Sequence, residues 1–316
     1  MKTLQIAILG GSGFVGQHLL PILHSQGHGL RVLSRRPERH RELKLLPGLE
    51  LWPVDVHDEA ALTDSLCDCQ VALNLVGILN ESGHAGQGFR RVHVDLPAKL
   101  ARACLGAQVG RVLHLSAAGA DARQGASLYL RTKGEGEQQL RVNGADRLAI
   151  TIFRPSVIFG PGDQFLNRFA RLLHWAPGIF PLPCAQARMQ PVFVGDVGLA
   201  LAAALKQPET IGQRYCLGGP RIYTLLELAR LTAEVAGIKR LVLPAPDPLA
   251  RLQAAILEYF PGKPFSRDNY RSAQVANVCE TNALETVFGL APRSVEAQLP
   301  LYLGHPKSWA ERRRLI

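Results

Sequence analysis

The sequence predicts an α/β protein with a doubly wound parallel sheet and a small, mostly helical C-terminal domain, on the basis of three observations. Apolar runs typical of buried strands alternate with amphipathic helical segments over the first half of the chain. A glycine-rich turn follows the first strand. Beyond residue 160 the segments become short strands and helices, joined by a loop rich in proline and glycine. We therefore assign residues 1–160 and 188–218 to the sheet domain, and residues 161–187 and 219–316 to the small domain.

The first strand is an apolar run that ends at Leu9, and glycines follow at positions 10, 13 and 16. Gly10 can adopt the positive φ of a tight turn, Gly13 lets a phosphate approach the backbone, and Gly16 lets the next helix lie close to the strand. The backbone amides and the dipole at the start of that helix suit a pyrophosphate. A plain glycine-rich turn is the alternative. The predicted dinucleotide contacts here are Gly10, Gly13, Phe14, Val15 and Gly16.

The second strand, Leu30 to Leu33, ends where such sheets contact the adenosine ribose. Ser34, Arg35 and Arg36 follow it, and no acidic residue occurs before Glu38. A carboxylate here would bind both ribose hydroxyls of NAD, whereas guanidinium groups match the oxygens of a 2′-phosphate. NADP(H) is therefore favoured, with NAD(H) as the alternative. One of the two arginines could instead be solvated.

The third and fourth strands, Leu49 to Val56 and Val71 to Gly77, flank a short helix from Ala60 to Leu66. Strands that alternate with helices at this spacing form right-handed βαβ units, the doubly wound (Rossmann) arrangement. Ligands bind at the carboxyl ends of such strands. The predicted cofactor contacts are therefore Asp55 and Val56 beside the adenine, and Leu75, Val76 and Gly77, the last two beside the ribose.

A loop from Ser82 to Gly88 and a helix from Arg91 to Leu105 lead to the fifth strand, Arg111 to Ser116. Beyond it, Tyr129 and Lys133 begin a helix that ends near Val142, and their spacing of four residues places them on one helical face. A nearby ammonium favours phenolate and lowers a pKa that is ordinarily about 10. The pair therefore indicates an acid or base catalyst, and a surface tyrosine beside a solvated lysine is the alternative.

The remaining segments are shorter, and their order is as follows: a sixth strand at Ala149–Phe153, a helix at Phe165–Trp175, a loop at Ala176–Pro183, a strand at Met189–Val194, a helix at Asp196–Leu205, a strand at Tyr215–Gly219, a helix from a capping box at Thr224 to Ala236, a strand at Leu241–Leu243 and a helix at Leu249–Phe260. The last helix has Leu252, Ile256 and Tyr259 or Phe260 on one face. We expect this face to pack within the small domain, with contact to a membrane or partner as the alternative.

Composition limits the class of protein. The chain has 316 residues, of which 47% are hydrophobic and 20% charged, as in ordinary globular proteins. No apolar run approaches the roughly 20 residues of a membrane span, and the N-terminus is a first strand rather than a signal peptide. The six cysteines lack metal-ligand spacing, so we expect reduced, mostly buried thiols and no metal site. The expected location is the cytoplasm.

The net charge of +10 suggests an anionic partner. Basic residues cluster between Arg35 and Arg41 and again at Arg312–Arg314. A phosphorylated cofactor, an anionic membrane surface and an acidic protein are the candidates, and a solvated arginine-rich face is the simpler alternative. No nucleic-acid-binding motif is present, so no nucleic-acid partner is expected.

Several motifs together resemble an extended short-chain dehydrogenase/reductase of the NAD-dependent epimerase/dehydratase superfamily. They are Gly-Gly-Ser-Gly-Phe-Val-Gly at 10–16, Tyr-x-x-x-Lys at 129–133 and Arg-Pro-Ser-Val-Ile-Phe-Gly-Pro-Gly-Asp at 154–163. Residues 129–135, 165–169 and 190–197 are similar to one atypical branch, that of the NADPH-binding accessory subunit of mitochondrial complex I and its bacterial relatives. The resemblance extends from Ile6 to about Gly219 and is weaker afterwards.

The resemblance implies roles for individual residues. Tyr129 matches the catalytic tyrosine, Lys133 the lysine that tunes it and binds the nicotinamide ribose, and Pro155 the proline beside the nicotinamide. The small domain would then lie over the nicotinamide end and contact the substrate or a partner.

Two family positions do not match. The catalytic serine falls on Ala117 or Ala118, with Ser116 just before them, and the family asparagine falls on His93. Nucleotide-sugar epimerases also tend to carry asparagine where this chain has Ser156, which argues against a UDP-sugar.

Three functions remain open. The first is an NADP(H)-dependent oxidoreductase acting on an unknown hydroxyl or carbonyl substrate, with Tyr129 and Lys133 in proton transfer and Ser116 polarising the carbonyl. The second is a non-catalytic NADPH-holding subunit, or an assembly or sensor protein of a respiratory or membrane-associated complex. The missing serine and the charge favour it, and it would place the chain peripherally at the inner face of a membrane. The third is a nucleotide-sugar epimerase/dehydratase.

Overall fold

The computed structural model describes residues 3–81, 83, 85–260 and 263–303. The chain divides into two compact units, Met1–Pro155 with Val197–Cys216, and Ser156–Asp196 with Leu217–Ile316. Residues 156–160, 188–196 and 217–218, which we assigned to the sheet domain, therefore fall in the second unit. The basic cluster at Arg312–Arg314 and part of the loop from Ser82 to Gly88 lie outside the described residues.

The described strands are β1 Gln5–Leu9, β2 Gly29–Ser34, β3 Leu49–Pro53, β4 Val71–Asn74, β5 Arg111–Leu115, β6 Ala149–Pro155, β7 Ile158–Phe159, β8 Ile179–Leu182, β9 Arg188–Met189, β10 Val192–Phe193, β11 Arg214–Leu217, β12 Tyr223–Thr224 and β13 Leu241–Pro244. The described α-helices are α1 Phe14–Ser25, α2 Glu59–Ser65, α3 Gln87–Arg90, α4 Leu96–Gly106, α5 Leu128–Gly144, α6 Leu166–Trp175, α7 Val194–Ala204, α8 Leu225–Val235, α9 Asp247–Leu257, α10 Arg267–Ser272, α11 Ala283–Thr286 and α12 Val295–Leu303. A 3-10 helix, Pro37–Leu45, follows β2, and a π-helical turn, Arg91–Asp95, joins α3 to α4.

The first unit is built on a seven-stranded sheet with the order β11-β6-β5-β4-β1-β2-β3. The neighbouring strands from β3 to β6 pair in parallel. The prediction of a doubly wound parallel sheet is therefore confirmed. Strand order reverses between β1 and β4, and in such sheets the ligand crevice lies at that point, outside the carboxyl ends of the strands.

The core of the first unit explains why its strands read as continuous apolar runs. Residues 6–9 of β1 are fully buried, as expected for a strand covered by helices on both faces. Helix α1 buries Leu19, Leu20 and Leu23, which recur on one side of the helix. Because both faces of β1 are covered, its carboxyl end is held in a fixed position, and that end carries the glycine-rich turn.

The second unit has small two-stranded sheets, β7 with β10, β9 with β12 and β8 with β13. The predicted loop from Ala176 to Pro183 is wrong, because Ile179–Leu182 forms β8 and pairs in parallel with β13. Pro181 does not interrupt β8, since both strands of a two-stranded sheet are edges and need no second partner. The capping box at Thr224 is confirmed at the start of α8.

Helix α9 packs through small residues. Ala250 and Ala254 are each 1% exposed, whereas Leu252 is 55% and Ile256 is 50% exposed. Tyr259 and Phe260, just beyond the helix, are also exposed. Our prediction that the large apolar face packs within the domain is therefore wrong, because the helix approaches its neighbours through alanine.

The cysteines differ in part from expectation. Cys67, Cys69, Cys104 and Cys184 are free, but Cys216 and Cys279 are disulfide-bonded, so the prediction of six reduced thiols is wrong at these two. Of the free thiols, Cys69 and Cys104 are buried and Cys67 is exposed.

Among the helices that the structure describes, none has the length and apolarity needed to cross a bilayer.

Candidate active site

The glycine-rich turn between β1 and α1 depends on the absence of side chains. Gly10 has a φ of +77°, and a Cβ atom on it would stand 3.0 Å from the backbone of Leu75 and Val76. A Cβ atom on Gly16 would overlap the carbonyl of Gly11. These approaches bring the carboxyl ends of β1 and β4 together, so three predicted cofactor contacts, Gly10, Leu75 and Val76, are neighbours.

The first turn of α1 is open to an anion. Gly13 occupies the N-cap position, and no side chain there accepts a hydrogen bond from the first amides of the helix. Its own amide donates to the Gly10 carbonyl at 3.0 Å, which closes the turn. Phe14 and Val15 follow at the helix start and are partly exposed. Unsatisfied amides at a helix N-terminus bind phosphate groups, so this turn fits the pyrophosphate of a dinucleotide.

Cationic groups surround the end of β2. Arg35 and Arg36 are exposed, and no described carboxylate forms an ion pair with either. The Arg36 amide donates to Ser34 Oγ at 3.3 Å, which orders the backbone there. Burial lowers the pKa of His57, and the positive charges of Arg91 and, more weakly, Arg35 lower it further. This positive potential suits an anionic group.

The predicted adenine contacts lie at the end of β3. Asp55 Oδ1 accepts a hydrogen bond from the His57 amide at 3.1 Å, and its other oxygen lies 4.0 Å from Arg91. Val56 is buried against the core beneath α2. The Asp55 carboxylate is therefore held by the protein's own groups.

Tyr129 and Lys133 are placed by α5, whose N-cap residue Ser127 accepts the Leu130 amide at 3.1 Å. Lys133 is buried, and its Nζ donates to the Leu115 carbonyl at 3.1 Å. A Cβ atom on Gly77 would stand 3.2 Å from the same Nζ. The ammonium therefore lies beside the carboxyl ends of β4 and β5. Burial lowers the pKa of Lys133 to about 8, an effect that the Glu137 carboxylate opposes.

The Tyr129 ring packs edge-on against two rings of the preceding helical segment. Its centroid lies 5.4 Å from that of His93 and 6.2 Å from that of Phe89. Burial raises the pKa of Tyr129 to about 12. The spacing predicts that Lys133 lowers this pKa, whereas loss of hydration acts in the opposite direction because it disfavours the phenolate.

His93 stands in the π-helical turn, at the position where the family has asparagine. Its Nε2 accepts from the Ile78 amide at 3.2 Å, and its Nδ1 lies 3.1 Å from Thr132 Oγ1. Burial, reinforced by Lys133, lowers the pKa of His93 to about 2. The imidazole is therefore neutral, and the bond from Ile78 assigns its proton to Nδ1, which donates to Thr132.

A second neutral imidazole adjoins Lys133. Asn74 Nδ2 lies 3.2 Å from Nδ1 of the buried His114, whose Nε2 has no partner among the described residues. Burial, and to a smaller extent Lys133, lowers the pKa of His114 to about 3. Sequence reasoning did not identify this residue, since a histidine within a buried strand carries no distinctive motif.

Ser116 belongs to a separate ionic cluster. Its Oγ donates to Glu137 Oε1 at 2.5 Å, and the fully buried Glu137 also accepts from Arg154 at 2.8 and 2.6 Å. Arg214 Nε lies 3.2 Å from the same carboxylate. The structure places Tyr129 and Lys133 one helical turn apart on α5 and directs the Ser116 hydroxyl to Glu137. Pro155 ends β6, where its carbonyl accepts from the Ala118 amide at 2.8 Å.

Comparison with known proteins identifies the family of this chain. Residues 6–218 match the model of the NAD dependent epimerase/dehydratase family. The chain belongs to this family. It is thus an extended short-chain dehydrogenase/reductase with an NAD-binding Rossmann sheet, as the sequence motifs indicated.

The curated relatives include mitochondrial complex I subunits and a bacterial reductase. Mitochondrial NADH dehydrogenase (ubiquinone) 1 alpha subcomplex subunit 9 of Rattus norvegicus is 30% identical over 71% of this chain and 59% of its own length. The mouse subunit is matched over 63% of its length, so the chain spans about six-tenths of these relatives. Ceramide reductase of Caulobacter vibrioides is 30% identical over 77% of this chain and 74% of its own.

Solved structures share the fold at low identity. The protein MoeE5, in complex with UDP-glucose and NAD, has a TM-score of 0.74 and 19% identity, over 98% of this chain and 99% of its own. UDP-glucose 4-epimerase of Thermotoga maritima has a TM-score of 0.74 and 18% identity, over 99% and 100%. At such identities the comparison establishes the architecture alone.

Proposed function

We propose that this chain is an NADP(H)-dependent oxidoreductase that interconverts a hydroxyl and a carbonyl group. The observation that carries the proposal is the position of the Lys133 ammonium. It is buried one helical turn after Tyr129, uses one hydrogen bond on the Leu115 carbonyl and lies beside Gly77. An ammonium has three donors, so two remain for ribose hydroxyls at the switch point of the sheet.

Tyr129 would donate its phenolic proton to the carbonyl oxygen of the substrate during reduction. Because its pKa is raised to about 12, the phenol is in its protonated form near neutral pH, the form that a proton donor requires. Lys133, with a pKa of about 8, is mostly charged at pH 7 and would stabilise the phenolate as it forms. The bound dinucleotide supplies the hydride or accepts it.

The preference for NADP(H) over NAD(H) rests on Arg35 and Arg36. Both guanidinium groups are exposed beside Ser34 and lack a described carboxylate partner. A 2′-phosphate would give them one, whereas the two hydroxyls of NAD would not.

The substrate class we propose is a hydroxyl or ketone on a lipid-like molecule. Two relatives support it by name, the Caulobacter ceramide reductase and a 3 beta-hydroxysteroid dehydrogenase/Delta 5-->4-isomerase of Mycobacterium tuberculosis, the latter 28% identical over 74% of this chain. In the resemblance to nucleotide-sugar epimerases, Ser156 departs from their asparagine. Its Oγ donates to the Asn277 carbonyl at 2.8 Å, so its hydrogen is committed within the second unit.

The test has two readouts. Mass spectrometry of the nucleotide released on denaturation should find NADP(H), and recovery of NAD alone would contradict the assignment of Arg35 and Arg36. NADPH formation from NADP⁺ and a 3β-hydroxysteroid probe, followed by absorbance, should fall at least about 100-fold in Tyr129→Phe. The exposed Tyr259→Phe is the matched control and should retain the rate. Equal rates in both variants would contradict the role of Tyr129.

A second candidate is a subunit that holds NADPH without turnover. The bond from Ser116 to Glu137 favours it, since the hydroxyl nearest the family's serine position is committed elsewhere. The complex I subunit among the relatives adds support. Such a protein would retain stoichiometric NADP(H) through dialysis, and Tyr129→Phe would change neither nucleotide content nor assembly with a partner.

A further inference from the structure

Exposed large apolar side chains are concentrated in the second unit. Among the described residues, all of them except Leu45, Leu79, Val142 and Ile211 belong to that unit. Scattered exposed apolar residues are normal on a protein surface, but a continuous row marks an interaction site.

One continuous row follows α9. Leu249, Leu252 and Ile256 recur at helical spacing on the exposed side of the helix, and Tyr259 and Phe260 extend the row beyond its end. We call these five residues the apolar stripe. In an ordinary surface helix the large apolar side chains face the protein. In α9 they face water, and the alanines face the protein.

The two-stranded sheet hydrogen-bonded to α9 also exposes apolar side chains. Ile179 of β8 and Leu241 of β13 are register partners, and both are exposed. Leu243, two residues along β13, is exposed as well. Gln253 of α9 donates to the Pro181 carbonyl of β8 at 3.3 Å, so helix and ribbon are directly joined.

A cluster of guanidinium groups adjoins α9. Helix α10 packs against α9, and between them lies a cleft of about 280 Å³. The cleft is lined by Arg251, Ala254, Arg267, Tyr270 and Arg271, and we call it the arginine cleft.

The positive charge of the arginine cleft is only partly compensated. Arg251 pairs with Asp247 at 2.8 Å and Arg267 with Glu258 at 3.3 Å, whereas no described carboxylate pairs with Arg271. A guanidinium group without a carboxylate offers charged donors suited to phosphate oxygens.

We propose that the second unit docks on the surface of a bilayer that contains anionic phospholipids. The apolar stripe enters the boundary between headgroups and acyl chains, and the arginine cleft receives a lipid phosphate. An aliphatic row ending in aromatic residues, together with nearby arginines, is the chemistry that interfacial helices use.

Charge and shape favour this occupant over two others. A free phosphate would fill the arginine cleft but would leave the stripe in water. A second copy docked on the stripe would bring together two chains that each carry a net charge of +10, which is repulsive. A bilayer with negative headgroups satisfies both features at once.

The test uses flotation of the full chain with vesicles of phosphatidylcholine and phosphatidylglycerol, against vesicles of phosphatidylcholine alone. We expect binding to the anionic vesicles only, weakened by salt. Arg267→Gln with Arg271→Gln should weaken binding about 30-fold, since each arginine near an anionic surface contributes about fivefold. Leu252→Ser with Ile256→Ser should weaken it more than about tenfold.

Matched variants of the first unit serve as controls. The substitutions Val142→Ser and Arg147→Gln also replace exposed residues, and both variants should bind vesicles like the unmodified chain. All variants should retain their NADPH affinity, which separates this proposal from that of the proposed function.

Two outcomes would overturn the docking proposal. One is equal binding to both kinds of vesicle, or none to either, even if inorganic phosphate binds in the arginine cleft. The other is a dimer in solution that Leu252→Ser with Ile256→Ser dissociates, which would assign the stripe to a second copy.

Discussion

The hydroxyl of Ser116 donates to Oε1 of Glu137 at 2.5 Å, across 21 positions of sequence. Ser116 follows β5, and Glu137 lies in the middle of α5, two helical turns beyond Tyr129. The same carboxylate accepts hydrogen bonds from Arg154, so it ties the end of β5 to α5 and β6. These three elements carry Tyr129, Lys133 and Pro155, and their relative placement depends on Glu137.

Replacing Glu137 with glutamine should destabilise the chain by about 3 kcal/mol, because Arg154 and Arg214 would lose a fully buried carboxylate. Urea denaturation at pH 7 measures the change. Glu59→Gln, which breaks an exposed ion pair with Arg102, is the control and should cost less than about 1 kcal/mol. Similar losses of unfolding free energy in the two variants would show that the buried network stabilises the chain no more than an exposed ion pair does.

Acid should destabilise the chain through His93 and His114. Their pKa values are about 2 and about 3, below the ordinary 6.5, so below pH 6.5 the unfolded chain binds protons that the folded chain does not. Stability therefore falls as pH falls, by about 1.4 kcal/mol per pH unit for each histidine. His93→Asn or His114→Asn should reduce the slope of unfolding free energy between pH 6 and 4 by that amount. The exposed His174→Asn should leave it unchanged, and three identical slopes would exclude this explanation.

Removing the positive charges after β2 should lower the affinity for NADPH much more than the affinity for NADH. Arg35→Ala with Arg36→Ala should weaken NADPH binding by roughly 30-fold, as expected when charged hydrogen bonds to phosphate are lost. NADH lacks that phosphate, and its affinity should change less than about threefold. Titration calorimetry measures both, with Arg147→Ala as the control. A parallel loss for NADH and NADPH would refute the assignment.

Substitution of Gly13 should affect binding more than folding. An alanine Cβ there would meet only the Gly10 carbonyl, at 3.1 Å, and would place a methyl group at the N-cap of α1, where a phosphate has to approach the backbone. We expect Gly13→Ala to lose more than about tenfold in dinucleotide affinity, with little change in melting temperature. Gly110→Ala, where a Cβ atom meets nothing within 4 Å, is the control. Unchanged affinity in Gly13→Ala would place the pyrophosphate elsewhere.

The sheet and its glycine-rich turn could be predicted because their signals are local. The three glycines, Gly10, Gly13 and Gly16, lie within seven consecutive residues, and the buried strands are apolar runs. The capping box from Thr224 to Glu227 is equally local, and the structure contains it.

The rest depended on contacts that spacing does not encode. One such cluster contains Ser116, Glu137 and Arg214, which are far apart in sequence. No sequence motif therefore indicates that they are in contact. In α9 the period correctly revealed a helix with an apolar side. It could not reveal that Ala250 and Ala254 form the packed side, because hydrophobic periodicity does not report which side meets the protein.

The π-helical turn from Arg91 to Asp95 makes the orientation of His93 depend on the number of residues in the turn as well as on their identity. A π turn accommodates one residue more than an α turn. Loss of a single residue within it would regularise the winding and rotate the preceding side chains by about 100°. Phe89 would then turn away from the phenol ring that it contacts now. A deletion here would thus disturb the surroundings of Tyr129 without changing Tyr129, Phe89 or Lys133 themselves.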